Sequence, residues 1–164
     1  MKNKYFWVGS LVSMILVLDQ VTKYLVEKRV RMYEQITIIP GFFNLTRVHN
    51  KGAAFGILSQ ASDIWRSLFF ITVASLAVVI ISILIYKARE RLLVFALSLI
   101  AAGAAGNLID RVRYGEVVDF IQWYVKSWYW PSFNVADSAI SVGVVLLAID
   151  MIFSKQPHET TEPV

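Results

Sequence analysis

The chain has 164 residues, 57% hydrophobic and 17% charged, and a mean hydropathy of +0.57, whereas ordinary domains carry about 45–50% apolar and ~25% charged residues. That much apolar surface excludes disorder and disfavours a soluble fold, because a chain this short cannot hide it from water. The net charge of +4 and pI near 9.4 fit attraction to anionic lipid headgroups better than to nucleic acid, and the absence of cysteine excludes thiolate nucleophiles, disulfides and thiolate metal sites.

Four apolar stretches follow one another. Span 1 covers about residues 5–26; its uncharged run, Tyr5 to Leu18, is 14 residues long and is broken by Asp19 and Lys23. Its start, Met1-Lys2-Asn3-Lys4 and an apolar run, has the look of a signal peptide, but no small-residue cleavage site follows, so the span is expected to be retained. The stretch 36–58 is β-branched and aromatic with Pro-Gly and Lys-Gly breaks, which predicts a few short strands. Span 2, about 67–86, is 20 uncharged residues and span 3, about 92–109, is 18, each enough for a hydrocarbon core of about 30 Å. Residues 120–133 hold seven of the chain's 22 aromatics, as expected of a loop at headgroup level. Span 4, about 136–153, has Asp137 and Asp150 near its ends. The polar tail 155–164 is predicted to be disordered. No internal repeat is evident.

The fold class predicted is an all-α membrane protein: four transmembrane helices, a small extracytoplasmic β-rich platform and an interfacial aromatic loop. Residues 1–154 read as one domain, with outer loops at 27–66 and 110–135 and a cytoplasmic tail. Four spans put both termini on one side. Lys2, Lys4, Lys87, Arg89, Arg91 and Lys155 crowd the short segments there, while nine cations are spread over about 65 residues of the long loops. Density in short loops near span ends is the better guide, and it makes the termini cytoplasmic.

With that orientation, Asp19 and Lys23 of span 1, Asn107, Asp110 and Arg111 of span 3 and Asp137 of span 4 fall at the outer face, with Asp119 and Asn134 in the loop between spans 3 and 4. Ionisable groups within membrane segments are functional candidates. Gly103, Asn107, Asp110 and Arg111 share one helical face, and the small residues 103–106 allow close helix packing. Each group also has an ordinary reading. Asp19 and Lys23, four apart, suit a structural ion pair; Asp110 and Arg111 suit interfacial charges; Asp137 suits an N-cap. Asp119 suits a solvated loop charge, Asn50 a turn residue and Asn134 a cap.

The chemistry available is narrow. No nucleotide-binding glycine loop or serine elbow occurs, and His49 and His158 are 109 residues apart in no ligand-like cluster. Carboxylates remain. Two of them held close share a proton, so that one can take a proton from water while the other polarises a carbonyl. Asp119 and Asp137 are candidates for such a pair. A small carrier and a non-catalytic assembly subunit are the rival classes. The apolar middle of spans 2 and 3 argues against an ion path, and an assembly role leaves the two aspartates unexplained.

Five blocks, Asp19-Gln20-Val21-Thr22-Lys23, Asn50-Lys51-Gly52-Ala53-Ala54-Phe55, Gly106-Asn107-Leu108-Ile109-Asp110-Arg111, Gly115-Glu116-Val117-Val118-Asp119-Phe120 and Phe133-Asn134-Val135-Ala136-Asp137, resemble those of lipoprotein signal peptidase, signal peptidase II, in the family's order over about residues 5–153. The resemblance implies an aspartic endopeptidase of the bacterial plasma membrane. Such an enzyme removes the signal peptide of diacylglyceryl-modified prolipoproteins by cutting just before the lipidated cysteine. It implies Asp119 and Asp137 as the catalytic pair, and Asp19, Lys23, Asn50, Gly52, Asn107, Asp110, Arg111 and Asn134 as substrate-binding and site-shaping positions. It further implies no metal or organic cofactor, contact with membrane lipids, and inhibition by cyclic peptide antibiotics.

Overall fold

A computed structural model describes residues 3–52 and 62–153. The expected disordered tail at 155–164, and the part of the predicted strand region at 53–58, lie outside the described residues. The element order is α1 (Lys4–Arg29), β1 (Gln35–Ile39), β2 (Phe43–Asn50), α2 (Asp63–Lys87), α3 (Arg91–Tyr114), β3 (Val117–Val125), β4 (Trp128–Tyr129) and α4 (Val135–Phe153). All four helices are long and apolar enough to cross a membrane. They overrun the uncharged stretches read from the sequence, because a helix continues past its apolar part as long as backbone bonding and caps support it. α3 in particular runs on to Tyr114, so Asp110 and Arg111 stand on its last turns and not in a loop. It stops where Gly115 takes the left-handed conformation, φ 76°, a common helix ending.

The helices divide into a centre and a periphery. Over the most apolar window, 56% of α3 is buried but only 6% of α2, although α2 is the more hydropathic. α3 packs on the other three helices because its inner face is small. A β-carbon on Gly106 would lie 2.7 Å from Asp19 Oδ2, and one on Gly103 would lie 2.7 Å from Ile140 Cγ1. Ile15, Leu99, Ala102 and Ala139 tie α1, α3 and α4 together. The outward faces carry exposed Val17, Val21, Leu76, Ile80, Val144 and Val145, as lipid-facing surfaces should. At the α2–α3 turn, Lys4 Nζ donates to the carbonyls of Tyr86 (3.0 Å) and Ala88 (2.8 Å), satisfying groups that the end of α2 leaves open.

The four strands form one antiparallel sheet in the order β1-β2-β3-β4. β2 carries a register shift between Leu45 and Val48, after which Val48 pairs with Asp119 and Asn50 with Val117. The first four residues of β3 are buried, and Phe120 packs on Val26 and Val30 at the end of α1. The aromatic segment 120–133 is thus more ordered than a loop: it is the body of β3, a turn with Lys126 at φ 55°, and β4. Rings ladder across it, Trp123 stacking on Phe42 and meeting Phe133 edge-on at 5.0 Å, and Tyr124 stacking on Tyr129.

Candidate active site

The polar residues converge where the C-terminal half of α3, the second half of α1, the start of β3 and the start of α4 meet. Lys23 sits between Asp19 and Asp110, 2.8 Å from a carboxylate oxygen of each, with all three side chains at most 4% exposed. The two acids are held from other sides too. Asp19 Oδ1 accepts from the Ala136 backbone N–H (3.0 Å) and Asp110 Oδ2 from that of Val118 (3.3 Å). Gln20 Nε2 donates to both, at 3.1 Å and 2.9 Å. Gln20 was not singled out from the sequence; its position three residues before Lys23, on the same helical side, was the available signal. Among the described residues no buried side-chain nitrogen or oxygen lacks a partner, which is what a buried charge cluster requires. The structural ion-pair reading of Asp19 and Lys23 therefore holds, extended by Asp110.

Lys23 also donates to Asn107 Oδ1 (3.2 Å), and Asn134 Nδ2 approaches that oxygen at 3.3 Å. With its oxygen held by donors, Asn107 must turn its NH₂ outward, and Nδ2 donates to Asp137 Oδ1 at 2.7 Å. Asn134 caps α4: its Oδ1 accepts from the Asp137 N–H (2.9 Å) while Asp137 Oδ2 accepts from the Asn134 N–H (3.2 Å). This is a reciprocal capping box, so Asp137 is the third helical residue and not the N-cap, the place its first-turn position suggested. The Asn134 amide donates in turn to Asp119 Oδ1 at 2.7 Å. Asn50, which pairs across the sheet near the start of β3, donates to Asp119 Oδ2 at 3.0 Å. Its own oxygen accepts from the Gly52 N–H (2.8 Å), so the turn reading of Asn50 and the site reading are both true. Gly52 has φ 83°, and a β-carbon there would run into the Phe70 ring.

Asp119 is accordingly no solvated loop charge: it is 2% exposed. Its carboxyl is pushed up from 3.8 to about 7, first by burial and then by the charge of Asp137, against the hydrogen bonds of Asn50 and Asn134 and the charge of Lys23. Asp137 is half-buried. Each oxygen of the two carboxyls holds an amide donor, and no cation is within ion-pair distance of either among the described residues. Arg111, one residue beyond Asp110, lays its guanidinium on the Phe70 ring, 5.2 Å from the centroid. Among the described residues no group of three or more His, Cys, Asp or Glu is gathered so as to hold a metal ion; His49 is instead engaged with Glu116 and lies 3.8 Å from Glu27. The geometry thus gathers Asp19, Lys23 and Asp110 into a cation-bridged base and Asp119 and Asp137 into an amide-lined carboxyl pair, with Asn107 and Asn134 between them, while Gly52 is held by Asn50 and Arg111 lies on Phe70.

The chain is similar in sequence and fold to known proteins. A family model described as signal peptidase (SPase) II matches residues 11–153. The lipoprotein signal peptidase of Geobacter metallireducens is 50% identical over 154 residues, 93% of this chain and 94% of that protein. The one from Syntrophus aciditrophicus is 45% identical over 142 residues, 85% and 88% of the two chains. A bacterial membrane enzyme solved by the in meso method at 2.3 Å resolution superposes with a TM-score of 0.81 at 33% identity, over 96% of this chain and 94% of the other.

Proposed function

Because the chain belongs to the signal peptidase II family and is a membrane protease of lipoprotein processing, we propose that Asp119 and Asp137 are its catalytic pair. The observation that carries this reading is the Asn134 bridge, which donates to Asp119 through its side chain and to Asp137 through its backbone. The Asp119 carboxyl, raised to about 7 by burial and then by the charge of Asp137, can hold a proton near neutral pH beside Asp137. Water between them loses a proton to the ionised carboxylate as its oxygen adds to the scissile carbonyl carbon. The protonated carboxyl gives its proton to the carbonyl oxygen. The tetrahedral adduct then collapses: the carboxyl that took the water's proton passes it to the leaving nitrogen, one hydroxyl of the adduct returns its proton to the other carboxylate, and the C–N bond breaks. The products are a signal peptide with a free carboxylate and a polypeptide beginning at its lipidated cysteine.

Asn50, Asn107 and Asn134 orient the carboxyls without neutralising them, and Asp19, Lys23 and Asp110 fix Asn107. Arg111 and the Gly52 turn contribute substrate-backbone contacts. The proposed orientation has both termini cytoplasmic and the aspartates near the outer face, where the scissile bond of a diacylated precursor lies. The sheet, with exposed Trp123 and Trp128, forms a platform and lid over that lipid surface, and cyclic peptide antibiotics would occupy the aspartate site.

The test is incubation of the purified protein with a precursor peptide carrying a diacylglyceryl cysteine, beside Asp119→Asn and Asp137→Asn. Cleavage surviving either substitution in a folded variant overturns the aspartate mechanism. A precursor cut equally well without its lipid overturns the substrate class. Photo-crosslinkers at Trp123 or Trp128 that capture neither lipid nor precursor overturn the lid.

A further inference from the structure

At the far end of the bundle, α1 and α3 part to leave a cleft of about 630 Å³. Its walls are largely apolar: Trp7, Val8 and Leu11 from α1 face Val94 and Phe95 from α3, and the one polar wall residue, Ser98, donates its hydroxyl to the Val94 carbonyl. Its mouth is polar, formed by Asn3 and Arg91. Arg91 and the site residue Asn107 are sixteen residues apart on α3, about 24 Å along the helix, so the cleft is separate from the aspartates. We propose that it is a binding site for one anionic phospholipid, with an acyl chain between the two helices and the phosphate on Arg91.

Charge selects the headgroup. Lys4, Lys87, Arg89 and Arg91 gather at this end against Glu90 and Asp150. Among the described residues Arg91 makes no ion pair. It opens a 24-residue helix whose N-cap is Glu90 and whose first turn holds no further acid; the partial positive charge of the helix end offsets part of the Glu90 charge beside the guanidinium. The Asn3 side chain makes no capping bond to α1 and offers its amide at the same mouth. The apolar walls directly below call for a hydrocarbon chain joined to that anion, which a free phosphate lacks. A substrate signal peptide fits poorly, because its amino-terminal region is cationic and would meet Arg91, Arg89 and Lys87. A lipid seated here holds together the two helices that supply Asp19 and Lys23 on one side and Asn107 and Asp110 on the other.

The experiment is native mass spectrometry and thermal denaturation of the full chain in neutral detergent with added phosphatidylglycerol, or with phosphatidylcholine of the same acyl chains, or with glycerol phosphate. Phosphatidylglycerol is expected to be retained at one molecule per chain and to raise Tm, and the other two are not. Arg91→Gln should weaken retention roughly fivefold, the equivalent of about 1 kcal/mol for a cation at a lipid surface. Leu11→Trp, which fills the cleft and keeps the charge, should weaken it as well. Lys87→Gln, on the same end but outside the cleft, should change it less than twofold. Precursor cleavage by each variant in detergent reports that it is folded. Equal retention of both lipids, equal loss in Arg91→Gln and Lys87→Gln, equal protection by glycerol phosphate, or displacement of the lipid by a signal peptide would each overturn the proposal.

Discussion

Two pairs of aspartates meet at Asn107, and their surroundings are opposite. Asp19 and Asp110 share Lys23, at 2.8 Å each, and further donors hold them in place. Asp119 and Asp137 receive only amide donors, from Asn50, Asn107 and Asn134. A buried carboxylate beside an ammonium has an opposite charge to offset its own. One beside amides keeps a proton affinity that burial and a like charge raise. Residue type is the same in both pairs, so it is their surroundings that divide a cation-bridged set from an amide-held one, in which the Asp119 carboxyl is pushed up to about 7.

The sharpest way to break this contrast is to neutralise one member of each pair. Asp119→Asn or Asp137→Asn should lower the cleavage rate by about 10²–10⁴-fold, the usual worth of a positioned acid or base, with a melting temperature close to that of the parent. Equal loss of folding and activity in Asp119→Asn would make it a structural residue like Asp19.

Lys23→Met attacks the other pair. It leaves two acids buried without their cation and should cost about 3–5 kcal/mol of stability, read as a lower midpoint in a detergent denaturation series. Adding Asp19→Asn and Asp110→Asn to that variant should recover much of the loss, because no uncompensated charge then remains. Failure to recover would mean that the ion pairs contribute more than mutual neutralisation.

Asn134→Ala removes both an N-cap, worth about 0.5–2 kcal/mol, and a bond to Asp119. Stability should fall by about that amount, and kcat should fall further than the lost stability explains. A fall in stability alone would confine Asn134 to capping.

The smallest effect expected is on pH dependence. Since Asp119 titrates near about 7 instead of 3.8, it loses its proton as pH rises through neutrality, and cleavage should decline on the alkaline side. The sign for folding is the same. The protonated carboxyl suits the buried site, so its contribution is fully present below 3.8 and fades as pH climbs toward about 7. Asn50→Ala deletes a donor that holds the value down, and the alkaline limb should move upward by less than about one unit. A limb that moves down, or stays when Asn50 is removed, would separate Asn50 from the pair.

Legibility followed the range of the interactions. Spans 2 and 3 and the strands within 36–50 were readable because hydropathy and β-branched runs are local. The Asp19–Lys23 pair was readable because helical periodicity brings positions four apart together. The remaining assignments depended on distance in sequence. That Asn134 and not Asp137 is the N-cap of α4 depended on contacts formed only in the fold, where Asn134 also touches Asp119. The family blocks named positions that the fold brings together, yet did not say that Gln20 bridges two acids.

Local chemistry in the chain determined that four helices long and apolar enough to cross a membrane form, and that Asp19, Asp110 and Asp137 lie toward one end of them while Asp150 lies at the other. Only the tertiary structure decided which carboxylates receive a cation and which receive amides. Those partners come from positions as far as 117 residues along the chain, as between Asp19 and Ala136. They meet because α3 is small enough at Gly103 and Gly106 for α1 and α4 to close on it, a consequence of packing that no local pattern encodes.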